Sequence, residues 1–171
     1  MASLMDEHFR VDQPRPHDIV DNPLQIAGLG GGFEANIGIR VIDGNGDAIV
    51  TTHTTNSNLA SQWQDTVGLM HVPATANGLV EVGPGTGADE VPAWVSIPVI
   101  FGIALVHEYS GFYLYTVQPG DTLGAIAASE AAGGLFDDSE SWHPIHRANS
   151  HIIHDPNKIR PGMVLRIPSA F

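Results

Sequence analysis

Between residues 24 and 105 apolar and polar positions tend to alternate, the period of a half-buried strand. Leu24 and Ile26 flank Gln25 ahead of the glycine-rich run Gly28-Leu-Gly-Gly-Gly32. Ile37, Ile39 and Val41 fall on one face of a strand, with Asn36, Gly38 and Arg40 on the other. Asp43-Gly-Asn-Gly-Asp47 then precedes the β-branched run Ala48-Ile-Val-Thr-Thr52. Asn and Gly accept the positive φ of tight turns, so this spacing predicts a hairpin. Further strands are predicted over 60–71, 78–82 and 91–105. The apolar run from Val91 to Val106 contains Pro92 and Pro98 and is too short to cross a bilayer, so it reads as paired buried strands. Short strands at this spacing, with weak helical periodicity, predict an antiparallel β-sandwich. Trp63 and Trp94 lie in these alternating runs and are expected in its core.

The period changes after residue 113. Tyr115-Thr-Val117 predicts a short strand and Pro119-Gly120 a turn. Asp121 or Thr122 is placed to cap a helix on which Leu123, Ile126 and Ala127 share one face, and Gly133-Gly134 is expected to end it. A second helix carries Trp142, Ile145 and Asn149 at helical spacing, with Pro144 in its first turn where a missing N–H costs nothing. Asp155-Pro-Asn157 and Pro161-Gly162 are turns, and Val164-Leu-Arg-Ile167 is a closing strand. The predicted order is β-α-α-β, two helices on one face of a two-stranded sheet. The fold class is therefore mainly β plus α+β: a sandwich over residues 10–107 and a small βααβ unit over 113–169. Between them His107-Glu-Tyr-Ser-Gly-Phe112 is short and carries two aromatics, unlike a Gly/Ser tether, so the halves are expected to touch.

Composition narrows the function classes. The chain has 171 residues, 43% hydrophobic and 15% charged, which suits folded material. Its net charge is -12, and residues 1–110 carry 13 acidic and 3 basic side chains. Nucleic-acid and anionic-membrane binding draw on Lys and Arg, so neither fits. Cysteine is absent, which removes disulfides, thiolate nucleophiles and cysteine metal sites. The first residues, Met1-Ala-Ser-Leu-Met-Asp-Glu-His-Phe9, show no export-signal pattern. Location stays open: wall-associated or extracellular if a signal was removed, otherwise cytoplasmic.

No enzymatic constellation stands out, and no cofactor is implied. Ser, His and Asp are present without a Gly-x-Ser-x-Gly elbow. Asp43–Asp47 resembles the start of a calcium loop, but Ala48 and Thr54 stand where Gly and Glu are required, so a hairpin turn accounts for it. Gly83-Pro-Gly-Thr-Gly-Ala-Asp89 lacks the lysine of a phosphate loop. Asp137-Asp-Ser-Glu140 suits the start of the second helix. His143, His146, His151 and His154 form two His-x2-His pairs, weak candidates for a metal such as zinc. Pro144 interrupts the first pair and no further ligand completes a known spacing, so solvated or capping imidazoles are the plainer reading.

Two families share these patterns. Asn22-Pro-Leu, Ile26-Ala-Gly28, Phe33-Glu-Ala, Val41-Ile-Asp-Gly44, Trp63, Gly78-Leu-Val and Ile97-Pro-Val resemble the Gmad2 domain, an immunoglobulin-like module of bacterial spore-germination and envelope-associated proteins, over roughly residues 10–105. That resemblance implies scaffolding or interaction, with no activity of its own. Tyr115-Thr-Val-Gln-Pro-Gly-Asp-Thr-Leu123, Ile145-His-Arg-Ala-Asn149 and Asp155-Pro-Asn-Lys-Ile-Arg-Pro-Gly-Met-Val-Leu-Arg-Ile-Pro168 resemble the LysM module. LysM domains bind N-acetylglucosamine-containing glycans such as peptidoglycan and chitin. The resemblance puts Gly120, Asp121, Thr122 and Leu123 on one wall of the groove and Ile153, Asp155, Pro156, Asn157 and Ile159 on the other.

The stretch from Ala127 to Trp142 is longer than in the compact LysM pattern. Trp142-His-Pro-Ile-His-Arg-Ala-Asn149 resembles a longer LysM variant found in phage-tail and contractile-injection baseplate proteins and in a small cytoplasmic potassium-binding protein, where the domain often serves assembly. The expectation is a non-enzymatic binding protein whose LysM-like part attaches to peptidoglycan or a chitin-like glycan. The alternative is an assembly protein that contacts a protein partner or a second copy of itself. A histidine-based metal or potassium-binding regulator is a third reading.

Overall fold

The computed structural model describes residues 9–31, 36–56, 61–83, 94–129 and 141–170. The first eight strands make two sheets. Strands β1 (Arg10–Gln13), β3 (Leu24–Leu29) and β6 (Gln62–Val67) form one, in the order β1-β3-β6. Strands β2 (Asp18–Val20), β8 (Val95–Phe101), β7 (Asn77–Gly83), β4 (Asn36–Asp43) and β5 (Ala48–Thr55) form the other, in that order. Leu24, Ile26, Trp63 and Val67 from the first sheet share one core cluster with Ile37, Ile39, Val41, Val80, Val82, Ile97 and Val99 from the second. The alternation read from Ile37, Ile39 and Val41 is thus the inner face of β4. Each such buried aliphatic contributes about 1.5–3 kcal/mol against solvent exposure.

The predicted hairpin joins β4 to β5, with a bulge between Val41 and Ile42. Its turn is held by the carboxylate of Asp43, which accepts from the backbone N–H groups of Asn45 (2.9 Å) and Asp47 (3.1 Å). Asp43 is buried with those partners, which explains a carboxylate in the core.

Four expectations need correction. The sandwich is not purely antiparallel, because β2 runs parallel to β8, Asp18 opposite Val99. The run 91–105 is not a pair of strands: β8 covers 95–101 and a helical turn α1 (Gly102–Leu105) follows, while residues 91–93 lie outside the described residues. The strand expected over 60–71 is confined to 62–67. Trp94 is not a core residue. It lies against the outer face of the larger sheet, where the absent side chains of Gly38 and Gly83 leave it room. A Cβ at either glycine would come within 2.8 Å of the indole. The Arg40 guanidinium sits 5.4 Å from the same ring. Trp63, by contrast, is buried as expected.

The C-terminal unit follows without a tether. Strand β9 (Tyr109–Thr116) begins within the segment read as a linker and pairs antiparallel with β10 (Val164–Ala170). Helices α2 (Leu123–Ala127) and α3 (His143–Ala148) complete the expected β-α-α-β order. Their core holds Val117, Leu123, Ile126, Ala127, Ile145, Ile153, Leu165 and Ile167. Helix α2 ends at Ala127, so Gly133 and Gly134, outside the described residues, do not terminate it. The acidic run 137–140 and most of the 83–89 loop also lie outside the described residues.

The halves touch, as the short connection led us to expect. Ala76, Ile100 and Leu105 share a small buried cluster with Ala148 of α3. Tyr109 packs on Gly102, whose missing side chain gives the ring its place. Its hydroxyl is pushed up to about 12 by burial and by the negative charge of Asp21.

Candidate binding site

Thr122, not Asp121, caps α2: its Oγ1 accepts from the backbone N–H of Ala125 at 3.1 Å. Asp121 instead braces the preceding turn. Its carboxylate accepts from the Tyr115 hydroxyl (2.8 Å) and from the backbone N–H of Gln118 (2.7 Å). Gly120 enters this loop at φ +93, which an L side chain adopts only at a cost. Opposite, the Asp155 carboxylate accepts from the backbone N–H of Asn157 (3.0 Å) and pairs with the Lys158 ammonium (2.9 Å). That ammonium, with the Asn157 N–H, holds the Asp155 carboxyl below its usual range.

These two braced loops enclose a depression of about 350 Å³, lined by Asp121, Thr122, Leu123, Gly124, Ala125, Trp142, Pro156, Asn157 and Ile159. Six of the nine residues expected from the resemblance line it: Asp121, Thr122, Leu123, Pro156, Asn157 and Ile159. The other three stand apart from the lining. Ile153 is a buried core residue, Gly120 is a turn residue, and Asp155 shapes its own loop. The lining suits a small neutral ligand with both polar and apolar edges, since Asp121, Thr122 and Asn157 offer hydrogen-bonding groups beside Leu123, Pro156 and Ile159.

Trp142 was not singled out as a binding residue. In sequence it reads as the first apolar position of α3, and only the fold turns it to the depression. Its indole stacks on the His143 imidazole, ring centroids 4.1 Å apart, and meets His146 edge-on at 5.9 Å.

The histidines do not converge. His146 Nε2 lies 3.1 Å from the Ile153 carbonyl, His143 lies on Trp142, and His151 stacks on His17 of the sandwich. His154 is exposed. Among the described residues no three His, Asp or Glu side chains are grouped to hold a metal ion. No helix among them is long and apolar enough to cross a membrane.

The structure is thus a strand-rich sandwich followed by a βααβ unit that carries an open depression. Comparison with known families finds a match within each part. Residues 8–88 match the immunoglobulin-like domain of bacterial spore germination, Gmad2, and residues 115–133 match the LysM domain. The chain is also similar to the potassium binding protein Kbp of Escherichia coli O6:H1, 35% identical over 81 residues, covering 43% of this chain and 51% of that protein. The chain thus spans about half the length of the curated relative it matches. No solved structure matches.

Proposed function

We propose that this chain is a non-enzymatic adaptor whose C-terminal unit, residues 113–169, holds an N-acetylglucosamine-containing glycan such as peptidoglycan or chitin, while the sandwich, residues 10–107, provides a scaffold. One observation carries the reading. The loop before α2, inside the LysM-matched segment, faces the Pro156–Ile159 loop across one depression with a mixed polar and apolar lining. An acetamido group takes hydrogen bonds from the polar loop edges, and its methyl takes the apolar floor of Leu123 and Ile159. The test is co-sedimentation with purified peptidoglycan. The protein is expected in the pellet, and Asn157→Ala is expected to move it to the supernatant without lowering its melting temperature. A wild-type protein that stays in the supernatant, and that ignores chitin beads as well, overturns the reading.

A second reading has its own observation. The outer face of the β9–β10 sheet exposes Phe112 (43%), Leu114 (65%) and Val164 (48%). Large apolar side chains grouped on one face suit a protein contact, and such a contact supports an assembly role for the chain. Size-exclusion chromatography with light scattering, comparing wild type with Leu114→Ser, checks for a homo-oligomer. A mass unchanged between the two and equal to one chain removes self-association from this reading.

A further inference from the structure

A cleft of about 390 Å³ opens where the sandwich meets the C-terminal unit, with Phe112 and Arg166 on one side and β2 on the other. Asp18, Ile19 and Val20, all three residues of β2, line it. Successive side chains of a strand point to opposite faces, so three in a row border one cleft only along the strand's edge. β2 ends its sheet with β8 as its one neighbour, and the backbone groups of its other edge have no strand partner among the described residues. Such an edge is a template for an added strand. The edge is also held in place. The His17 N–H donates to the Pro98 carbonyl at 2.6 Å, and the His17 carbonyl accepts from the Arg166 guanidinium. A held edge gives up little conformational freedom when a strand joins it.

The rest of the lining sets the chemistry of that strand. Pro14, Pro23 and Leu24 make the cleft partly apolar, and Phe112 continues the exposed face that includes Leu114 and Val164. Asp18 and Asp21 bring two carboxylates. Each accepts one backbone N–H, from Arg15 (2.8 Å) and Asn22 (2.7 Å), and neither is in an ion pair among the described residues. Arg166, the cation of the lining, is already engaged by the His17 carbonyl and lies 5.8 Å from the Phe112 ring centroid. Residues 1–110, which build most of the cleft, carry 13 acidic and 3 basic side chains.

We propose that the cleft along β2 docks an extended peptide segment of a partner protein, which adds a strand to the sheet and sets a lysine or arginine against Asp18 and Asp21 and an apolar residue against Phe112; the proposal rests on the assembly reading above and gives it a site. Backbone hydrogen bonds to β2 supply affinity for any extended chain, while the carboxylates and the ring choose among sequences. The acidic field of the sandwich speeds the approach of a basic partner. The cleft shares no lining residue with the depression, so the two sites are separate.

The experiment is binding of the full chain to an array of acetylated, amidated hexapeptides varied at every position. Bound peptides are expected to be enriched in Lys or Arg close to Val, Ile, Leu or Phe. A labelled peptide from the enriched set then gives the affinity by fluorescence anisotropy. The double variant Asp18→Asn, Asp21→Asn keeps both turn acceptors and is expected to weaken binding about ten-fold, the loss of two ion pairs at an open site. N-methylation of alternate peptide amides is expected to abolish binding in one phase and spare it in the other, since a strand turns alternate N–H groups to its neighbour. Enrichment without Lys or Arg, or wild-type affinity in the folded double variant, overturns the proposal. Equal tolerance of both methylation phases overturns strand addition. Absence of any bound peptide overturns the proposal, and an oligomer that Leu114→Ser disperses then leaves the assembly reading standing without this site.

Discussion

The imidazoles of His17 and His151 stack across the junction between the sandwich and the C-terminal unit, ring centroids 5.2 Å apart and planes 12° from parallel. The Arg166 guanidinium completes the contact. It donates to the His17 carbonyl and lies 3.5 Å from His151 Nε2. Burial, then the positive charge of Arg166, then His17, push His151 below its ordinary value of 6.5.

A pH dependence of stability follows from that arrangement. The folded state takes up a proton on His151 less readily than the unfolded chain does. The contribution is therefore fully present above the unfolded value and is lost as pH falls through the folded one. Arg166 and His17 face His151 with like charge. Thermal melts at about pH 7.5 and about pH 5 are expected to show a lower midpoint in acid, with a smaller drop in His151→Gln. Identical drops in the two proteins remove His151 as the cause.

Asn149 is fully buried and acts as a bridge from α3 to β10. Its Nδ2 donates to the carbonyls of Ile145 and Arg166, both at 2.7 Å, and its Oδ1 accepts from the Arg166 N–H at 2.8 Å. The carboxamide thus satisfies both backbone groups that Arg166 turns away from β9. Asn149→Ala leaves them buried without a partner. The expected loss is about 3 kcal/mol, measured by urea unfolding. Asn149→Leu is expected to be no better, since shape is not what is missing.

Asp121 is expected to reveal itself through its neighbour. Its hydrogen bond raises the Tyr115 hydroxyl above the ordinary 10.0, with burial and the carboxylate charge adding to this. Asp121→Asn is expected to bring that ionisation back down in an alkaline ultraviolet titration. The sign is that of a group favouring its protonated form: any stability it lends is present below about 10 and lost above. An unmoved titration places the Tyr115 shift elsewhere.

Gly38→Ala tests the seat of Trp94. The added Cβ meets the indole at 2.8 Å and must displace it from beneath Arg40. A red-shifted Trp emission and a stability loss of about 1–2 kcal/mol are expected. Unchanged emission shows that the ring does not depend on this glycine.

The residues that were legible in sequence share a local cause. Ile37, Ile39 and Val41 declare their face by period, Asp43–Asp47 its turn by composition, and Thr122 and Pro144 their helix starts by chemistry. What was not legible depends on partners distant in the chain. Arg10–Gln13 is mostly polar, Asp18–Val20 is only three residues long, and Pro14 and Pro16 lie between them, so only pairing with β3 and β8 makes them strands. Trp94 reads as core because apolar bulk does, yet two glycines on other strands give it a place outside. Tyr109–Phe112 reads as a linker because Ser110 and Gly111 dilute its alternation, yet Ser169 and Pro168 lie opposite it in the sheet. In the depression, the loop before α2 was visible through its turn and cap residues, whereas Ile153 could be assigned to the core only once α3 was packed against β10.

Only Val106, His107 and Glu108 separate α1 from β9, and Glu108 takes the left-handed backbone at φ 57. Under the proposed function, a partner bound to the sandwich and a ligand bound in the depression would thereby be held at one spacing and one angle. Once either is engaged, capture of the other becomes an intramolecular event whose effective concentration is set by geometry rather than by the reach of a floppy chain. Such a joint favours pairs of targets that match its span and gives no avidity to pairs that do not.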